Sequence, residues 1–137
     1  TGAMAASQSL CAHDASFAAG LLEALVQVRS SGAPITLIAY DAEYPAPLAS
    51  ARPIPDAGGI GLVLSPARGP RSLAQITVEL SEATPTPLAD PQLEALRLAI
   101  PALRGLPLLA LLAGRHAGDC TLEYLAPLSL QVNSTPC

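Results

Sequence analysis

The longest regular pattern in the chain is an apolar segment with helical character. Between positions 17 and 28 nearly every residue is apolar, and Ser16, Glu23, Gln27 and Ser30 form only a thin polar stripe. A helix that is apolar on nearly every side is usually covered on nearly every side. We therefore expect this helix to lie between two layers of structure.

Both ends of this helix carry recognisable signals. His13, Asp14 and Ser16 stand where a helix begins, and a side-chain oxygen there can accept from backbone N–H groups that lack an intrahelical partner. Ser-Ser-Gly at 30–32 closes the helix, because glycine tolerates a left-handed helix end. The helix is predicted to begin near residue 14.

A short β-rich run follows the helix after a four-residue turn. Pro34 prevents the helix from continuing, and residues 35–40 read Ile-Thr-Leu-Ile-Ala-Tyr without polar alternation. Such a run is typical of a central strand buried on both faces. A buried helix that leads into a buried strand is half of a layered α/β unit, so the predicted fold class is α/β.

The remaining pattern is a proline-rich connection followed by shorter elements. Four prolines between 41 and 56 predict an extended connection, with a proline-rich ligand for a partner domain as the functional alternative. Glycines 58, 59 and 61 lead into a strand rather than a helix, so they do not form a dinucleotide-binding loop. The other predicted elements are a second buried strand over 57–65, a half-exposed strand over 73–80, a helix from Asp90 to Ile100, an apolar helix over 106–113, strands over 119–125 and 128–132, and a frayed end over the last five residues.

Composition limits the size of the fold and the kinds of partner. A chain of 137 residues, half of them apolar, can hold one sizeable core, so we predict a single domain over 1–137. Only 13% of the residues are charged, the net charge of −4 is spread along the chain, and aromatics make up 3%. A nucleic-acid surface would need a basic patch with aromatic platforms, so no nucleic-acid partner is expected.

The sequence contains no obvious membrane segment. Its most apolar tract, 96–114, is interrupted by two arginines and two prolines, and the longest uncharged piece is about ten residues, short of the roughly 20 that a bilayer requires. The N-terminal ten residues lack a positive region before an apolar core. We therefore expect a cytoplasmic protein, with residues 1–6 a tag remnant or disordered.

Three cysteines and two histidines are the candidates for chemistry. Cys11, Cys120 and Cys137 have no spacing of a disulfide framework. Cys11 with His13, and His116 with Cys120, look like metal half-sites, but each lacks the second pair that structural zinc uses, so neither a metal nor another cofactor is expected.

Cys11 is the best candidate for a nucleophile. A thiol close to a helix N-terminus is acidified and can attack as thiolate, with His13 as a candidate base. Residues two apart do not face each other on a helix, which weakens this pairing. The alternative is that Cys11 is a small hydrophobic residue of the preceding turn.

Six segments spread along the chain carry a family resemblance as a combination rather than in any one tetrapeptide. They are SLCAHDASFAAGLLEAL at 9–25, Ala39-Tyr40-Asp41, Tyr44-Pro45-x-Pro47-Leu48, Arg52-Pro53-Ile54-x-Asp56-Ala57, Leu62-Val63-Leu64 and Leu122-Glu123-Tyr124-Leu125. Together they resemble the bacterial β-ketoacyl synthase-like proteins described as chain-length factors, which accompany aryl-polyene and related pigment gene clusters. The likeness covers about residues 7–137.

This resemblance implies a partial thiolase-like fold with the buried helix next to a mixed β-sheet and helices packed on it. In active synthases that helix presents an acylated cysteine, and the equivalent position here falls at Asp14 or Ala15, with Cys11 about one turn too early. The catalytic histidines of the second half also have no counterpart, since His116 stands in no matching motif. The resemblance therefore implies a non-catalytic subunit.

The resemblance also implies that about a hundred residues usually precede the buried helix. Without them the strand over 35–40 would lack neighbours on one side, and an exposed apolar strand edge favours pairing with another chain. We therefore expect either a further segment or an intimate homo- or hetero-oligomer.

Three hypotheses follow for function. The first is a chain-length-factor subunit that pairs with an active β-ketoacyl synthase, meets acyl carrier protein only indirectly, and shapes the acyl tunnel without making a carbon–carbon bond. The second is a stand-alone thiol acyltransferase that uses Cys11 and His13. The third is an interaction module without an acyl ligand.

Overall fold

Helices and antiparallel strands make up the chain in the computed structural model, which describes residues 2, 4 and 6–137. The predicted α/β class is confirmed. The elements in chain order are α1 (Ser16–Ser31), β1 (Ile35–Asp41), α2 (Leu48–Ala51), β2 (Gly58–Leu64), β3 (Ala74–Ser81), α3 (Pro91–Ala99), α4 (Leu106–Gly114), β4 (Gly118–Glu123) and β5 (Ser129–Pro136), with 3-10 turns at His13–Ala15 and Pro101–Gly105.

The strands form two antiparallel sheets. β1 pairs with β2, and β5 lies between β3 and β4. The expectation of one mixed sheet was therefore wrong for the described strands. A parallel neighbour needs a crossover of a dozen or more residues that is usually helical. The connection from β1 to β2 holds the single turn of α2 and no crossover helix, and β2 lies antiparallel beside β1.

α1 contacts side chains of both sheets along one core face. Its buried residues Phe17, Leu21, Ala24 and Val28 recur at helical spacing. They share one hydrophobic cluster with Ile60 and Leu64 of β2, Leu108 of α4, Cys120 and Leu122 of β4, and Leu130 and Val132 of β5.

The prediction that α1 is covered on nearly every side was wrong. Val26 is 54% exposed, and Leu22 and Leu25 are half-buried. They lie, with Val78 of β3, in an open groove of about 500 Å³. β3 is an edge strand of its sheet, so it covers this side of α1 only in part.

The prediction that β1 is buried on both faces was also wrong. Its side chains alternate, so that Leu37 and Ala39 pack on the core while Ile38 and Tyr40 are 67% and 79% exposed. β2 behaves in the same way, with Ile60 buried and Val63 73% exposed. The cause is that the β1–β2 sheet packs on α1 through one face only.

The second half of the chain follows its predicted signals more closely. Asp90 caps α3 by accepting from the backbone N–H groups of Gln92 at 2.8 Å and Leu93 at 3.2 Å, and Pro91 occupies the first turn. α3 ends before Pro101, and the apolar helix α4 spans Leu106–Gly114 as predicted.

The C-terminal residues are ordered by strand pairing. β5 continues to Pro136, and the N–H of Cys137 donates to the carbonyl oxygen of Leu73 at 3.1 Å. The predicted fraying was therefore wrong, because β5 pairs with β4 as far as Ser134 and with β3 as far as Pro136.

The N-terminal expectation concerns partly undescribed residues. Positions 1, 3 and 5 lie outside the residues that the structure describes, so the proposal of a tag remnant or disorder over 1–6 stays a prediction there. Among the described residues, no helix combines the length and the apolar character that crossing a bilayer requires.

Candidate functional site

The beginning of α1 is built by a short turn around Ser16. The Ser16 hydroxyl donates to the carbonyl oxygen of His13 at 2.6 Å and accepts from the N–H of Ala12 at 2.9 Å. His13 adopts a left-handed backbone conformation with φ of 55°. A 3-10 turn at His13–Ala15 thus precedes the helix, which begins at Ser16, two residues later than predicted.

Asp14 is held by two arginines at this end of α1. Its Oδ1 accepts a hydrogen bond from Arg52, which follows α2, and its Oδ2 lies 3.4 Å from Nη2 of Arg104. The side chain of Asp14 is 26% exposed, so the carboxylate is largely withdrawn from solvent. A carboxylate placed between two guanidinium groups makes charge-assisted contacts, which are stronger than contacts between neutral groups.

Arg104 connects Asp14 to the rest of the protein. The residue is only 8% exposed, donates from Nη1 to Oε2 of Glu123 at 2.5 Å, and donates from Nη2 to the carbonyl oxygen of Leu98 at 3.2 Å. A buried guanidinium requires ionised partners, since its desolvation would otherwise be too costly. Asp14 and Glu123 provide these partners from two different elements.

These four side chains form what we call the Asp14 cluster: Asp14, Arg52, Arg104 and Glu123. Two positive and two negative formal charges cancel within it. It joins the start of α1, the loop after α2, the 3-10 turn at 101–105 and the end of β4. The cluster links the start of α1 to the end of β4 and to the loop before β2, and its formal charges sum to zero, which leaves no surplus charge for attracting an ionic substrate.

Asp41 makes a related connection from the end of β1. Its Oδ2 accepts from the backbone N–H of Ala102 at 2.6 Å, which attaches the strand to the 3-10 turn that also carries Arg104. Two of the segments quoted for the resemblance reach this turn, the first through Asp41 and the second, which begins with Arg52, through Ile54, which packs in a small hydrophobic cluster with Ala102.

A second ion pair lies nearby on α3. Glu94 accepts from Nε of Arg97 at 2.8 Å and from Nη2 at 2.7 Å, and it also accepts from the N–H of Leu88 at 2.9 Å. The bond from Arg97, followed by that from Leu88, lowers the pKa of Glu94 to about 2. The same bond from Glu94 raises the pKa of Arg97 above its ordinary value. This pair anchors the start of α3 to the preceding loop.

Cys11 is not on the helix. It is exposed and lies five positions before Ser16, with the 3-10 turn between them. The side chain of His13 is 77% exposed, and its Nδ1 lies 3.8 Å from Oδ2 of Asp14. The imidazole therefore borders the Asp14 cluster, and this arrangement gives the Cys11–His13 hypothesis no added support.

The second metal-like pair is split between surface and core. His116 is exposed after α4, whereas Cys120 is buried in β4. Burial, and to a smaller extent the charge of Asp119, raises the pKa of Cys120 to about 11. Over the part of the chain that the structure describes, no three His, Cys, Asp or Glu residues are grouped as metal ligands would be.

Sequence reasoning identified Asp14 but missed its partners. Arg52 and Glu123 stand inside the motifs quoted for the resemblance, and Arg104 interrupts an apolar stretch between two prolines. An arginine in such a stretch is a signal that could have been used, because a charge inside a predicted core needs a partner. The carboxylates that Arg104 contacts lie up to 90 positions away in the sequence. No local sequence spacing therefore predicts them.

The chain was also compared with known proteins. It matches no family model, no curated protein and no solved structure.

Proposed function

We propose that this chain is a non-catalytic, ketosynthase-like subunit of the chain-length-factor type. In this proposal it pairs with an active β-ketoacyl synthase, helps to shape the tunnel for the growing acyl chain, and meets the acyl carrier protein only through that synthase. The observation that carries the proposal is Asp14, which stands where the resemblance expects the nucleophile and is bound by Arg52 and Arg104.

The chemistry of Asp14 supports a structural role. A condensing nucleophile must attack a thioester, hold the acyl group and release it again. The Asp14 carboxylate accepts a hydrogen bond from Arg52 and lies 3.4 Å from Nη2 of Arg104, so each of its oxygens already faces a guanidinium group. Acylation would also remove the charge that compensates Arg104, which is nearly fully buried.

The position of Cys11 supports the same conclusion over the stand-alone thiol acyltransferase. Helix-dipole effects are confined to the terminal turn of a helix. Cys11 is exposed and lies five positions before the first residue of α1, with a 3-10 turn between them, so it is outside the terminal turn on which that alternative depends.

Open apolar surface supports a role in association. The outer face of the β1–β2 sheet and the groove between α1 and β3 both expose large apolar side chains. Such surfaces on a folded protein commonly mark interaction sites. The three cysteines are free thiols, which is consistent with the proposed cytoplasmic compartment, where disulfides are rare.

The experiment is to mix the chain with an active synthase from the same gene cluster at about 10 µM and to measure mass by light scattering on a sizing column. The proposal expects one peak containing both chains. A second readout is the product-length distribution of the synthase with and without the chain. Two separate peaks would contradict the proposal, and a joint peak that leaves the products unchanged would favour a plain interaction module.

A further inference from the structure

The outer face of the β1–β2 sheet has a ridge and a furrow. Cross-strand partners in an antiparallel pair point to the same side of the sheet, and here Ile38 lies opposite Gly61 and Tyr40 opposite Gly59. β1 therefore contributes two large projecting side chains, and β2 contributes two positions without any side chain. A Cβ atom at Gly61 would meet no atom within 4 Å, whereas one at Gly59 would lie 3.1 Å from the carbonyl oxygen of Ala39 and 3.4 Å from Cβ of Tyr40, so the furrow is open at Gly61.

No charged residue points from this face. Its outward positions are Thr36, Ile38 and Tyr40 on β1, and Gly59, Gly61 and Val63 on β2. In a two-fold symmetric contact each group meets the same surface patch of the other copy, so any charge would face a like charge nearby. The absence of charge on these six positions removes that cost for a second copy of this chain.

The size of the face indicates how strong such a contact can be. Ile38, Tyr40 and Val63 are 67%, 79% and 73% exposed, which amounts to on the order of 400 Å² of mostly apolar surface per copy. Stable interfaces bury roughly 800 Å² per partner, so this face is suited to a weak, concentration-dependent dimer.

We infer that two copies of this chain pack face to face through their β1–β2 sheets. The ridge of Ile38 and Tyr40 on one copy lies in the glycine furrow of the other, and the two-fold axis repeats the contact. Two sheets packed in this way lie about 10 Å apart, the spacing of a β-sandwich. The inference does not depend on the proposed pairing with a synthase.

The test is sedimentation velocity of the wild-type chain between about 10 µM and 1 mM, a range that brackets weak protein association. We expect the mass to rise from 13.9 kDa towards twice that value. Ile38→Glu should raise the dissociation constant at least about tenfold, because it brings two carboxylates together in the contact. Leu80→Glu is the matched control, since Leu80 is 54% exposed on β3 in the other sheet and should leave the dimer unchanged.

Gly61→Leu distinguishes a shape-complementary contact from nonspecific hydrophobic association. The Cβ atom of the new side chain would meet no other atom within 4 Å in the single copy, and thermal melting checks that the variant folds. It fills the furrow, and we expect it to weaken the dimer at least about tenfold. If association were only nonspecific and hydrophobic, the added leucine would strengthen the dimer. A stronger dimer in Gly61→Leu would therefore overturn the inference.

Two further results would overturn it. One is a wild-type chain that stays at 13.9 kDa over the whole concentration range. The other is a dimer that Leu80→Glu weakens as much as Ile38→Glu does. A chain that is monomeric alone but binds the synthase would refute this inference and leave the proposed function standing. A chain that dimerises but does not bind the synthase would refute the proposed function and leave this inference standing.

Discussion

The guanidinium of Arg104 lies 3.4 Å from the carboxylate of Asp14, two residues before α1 begins. Arg104 belongs to the 3-10 turn that precedes α4, so this contact joins the first helix to a segment 90 positions away. The same guanidinium donates to Glu123 at the end of β4. The position that the family resemblance assigns to a nucleophile is thus occupied by a structural ion pair.

Removing the charge of Asp14 is expected to destabilise the fold. Asp14→Asn leaves Arg104, which is 8% exposed, with a single ionised partner. We expect the free energy of unfolding to fall by about 1–2 kcal/mol, below the cost for a fully buried pair because Asp14 is 26% exposed. Urea denaturation measures this change.

The control for Asp14 is Glu43→Gln, which removes one negative charge at an exposed position of the proline-rich connection. It is expected to change the free energy of unfolding by less than about 0.5 kcal/mol. Equal effects of the two variants would show that net charge, and not the Asp14 cluster, is responsible.

Glu94 is expected to make stability depend on acid pH. Folding lowers its pKa from 4.5 to about 2, chiefly through the bond from Arg97. Because the folded-state value is the lower one, the stabilisation is present above about pH 4.5 and is lost as the pH falls towards 2. Melting temperatures of wild type and Glu94→Gln should differ at pH 6 and converge by about pH 2. Curves that stay parallel over this range would contradict the assignment.

Gly105 is expected to tolerate no side chain. A Cβ atom there would overlap the ring of Phe17, which is fully buried in the core. Gly105→Ala should lower the free energy of unfolding by about 2–3 kcal/mol through overpacking. Gly61→Ala is the control, since its Cβ would meet no atom within 4 Å. Similar losses in both variants would point to a general effect of glycine replacement.

The three thiols are expected to differ in reactivity. Cys11 and Cys137 are exposed, whereas Cys120 is buried and burial raises its pKa to about 11. Since the thiolate is the reactive form, two thiols should react with an aromatic disulfide reagent at pH 8 in the native protein, and the third only after denaturant is added. Rapid reaction of all three would contradict the packing of β4.

The sequence predicted the positions of helices and strands better than the burial of their side chains. Asp90-Pro91 at the start of α3 and Ser-Ser-Gly at the end of α1 are local signals, and the helices begin and end where these signals predict. Burial depends on which other segment covers a surface. The prediction of a strand at 35–40 was therefore correct, but the prediction that both of its faces are buried was wrong, since Ile38 and Tyr40 are exposed.

The same distinction applies to the site. Asp14 could be singled out because the resemblance supplies a position for it, and Cys11 because a thiol near a helix start has known chemistry. The pairing of Asp14 with Arg52 and Arg104 brings together three segments that are separated by 38 and 90 positions. Such contacts follow from tertiary packing, for which the local sequence holds no periodic signal.

Intact-mass spectrometry of the chain mixed with an active synthase and an acyl thioester tests the central claim most directly. The account predicts that the acyl group is found on the synthase alone and that the mass of this chain is unchanged. An acyl adduct on this chain that disappears in Cys11→Ser would contradict the account, because it would make Cys11 a nucleophile and the chain an acyltransferase in its own right.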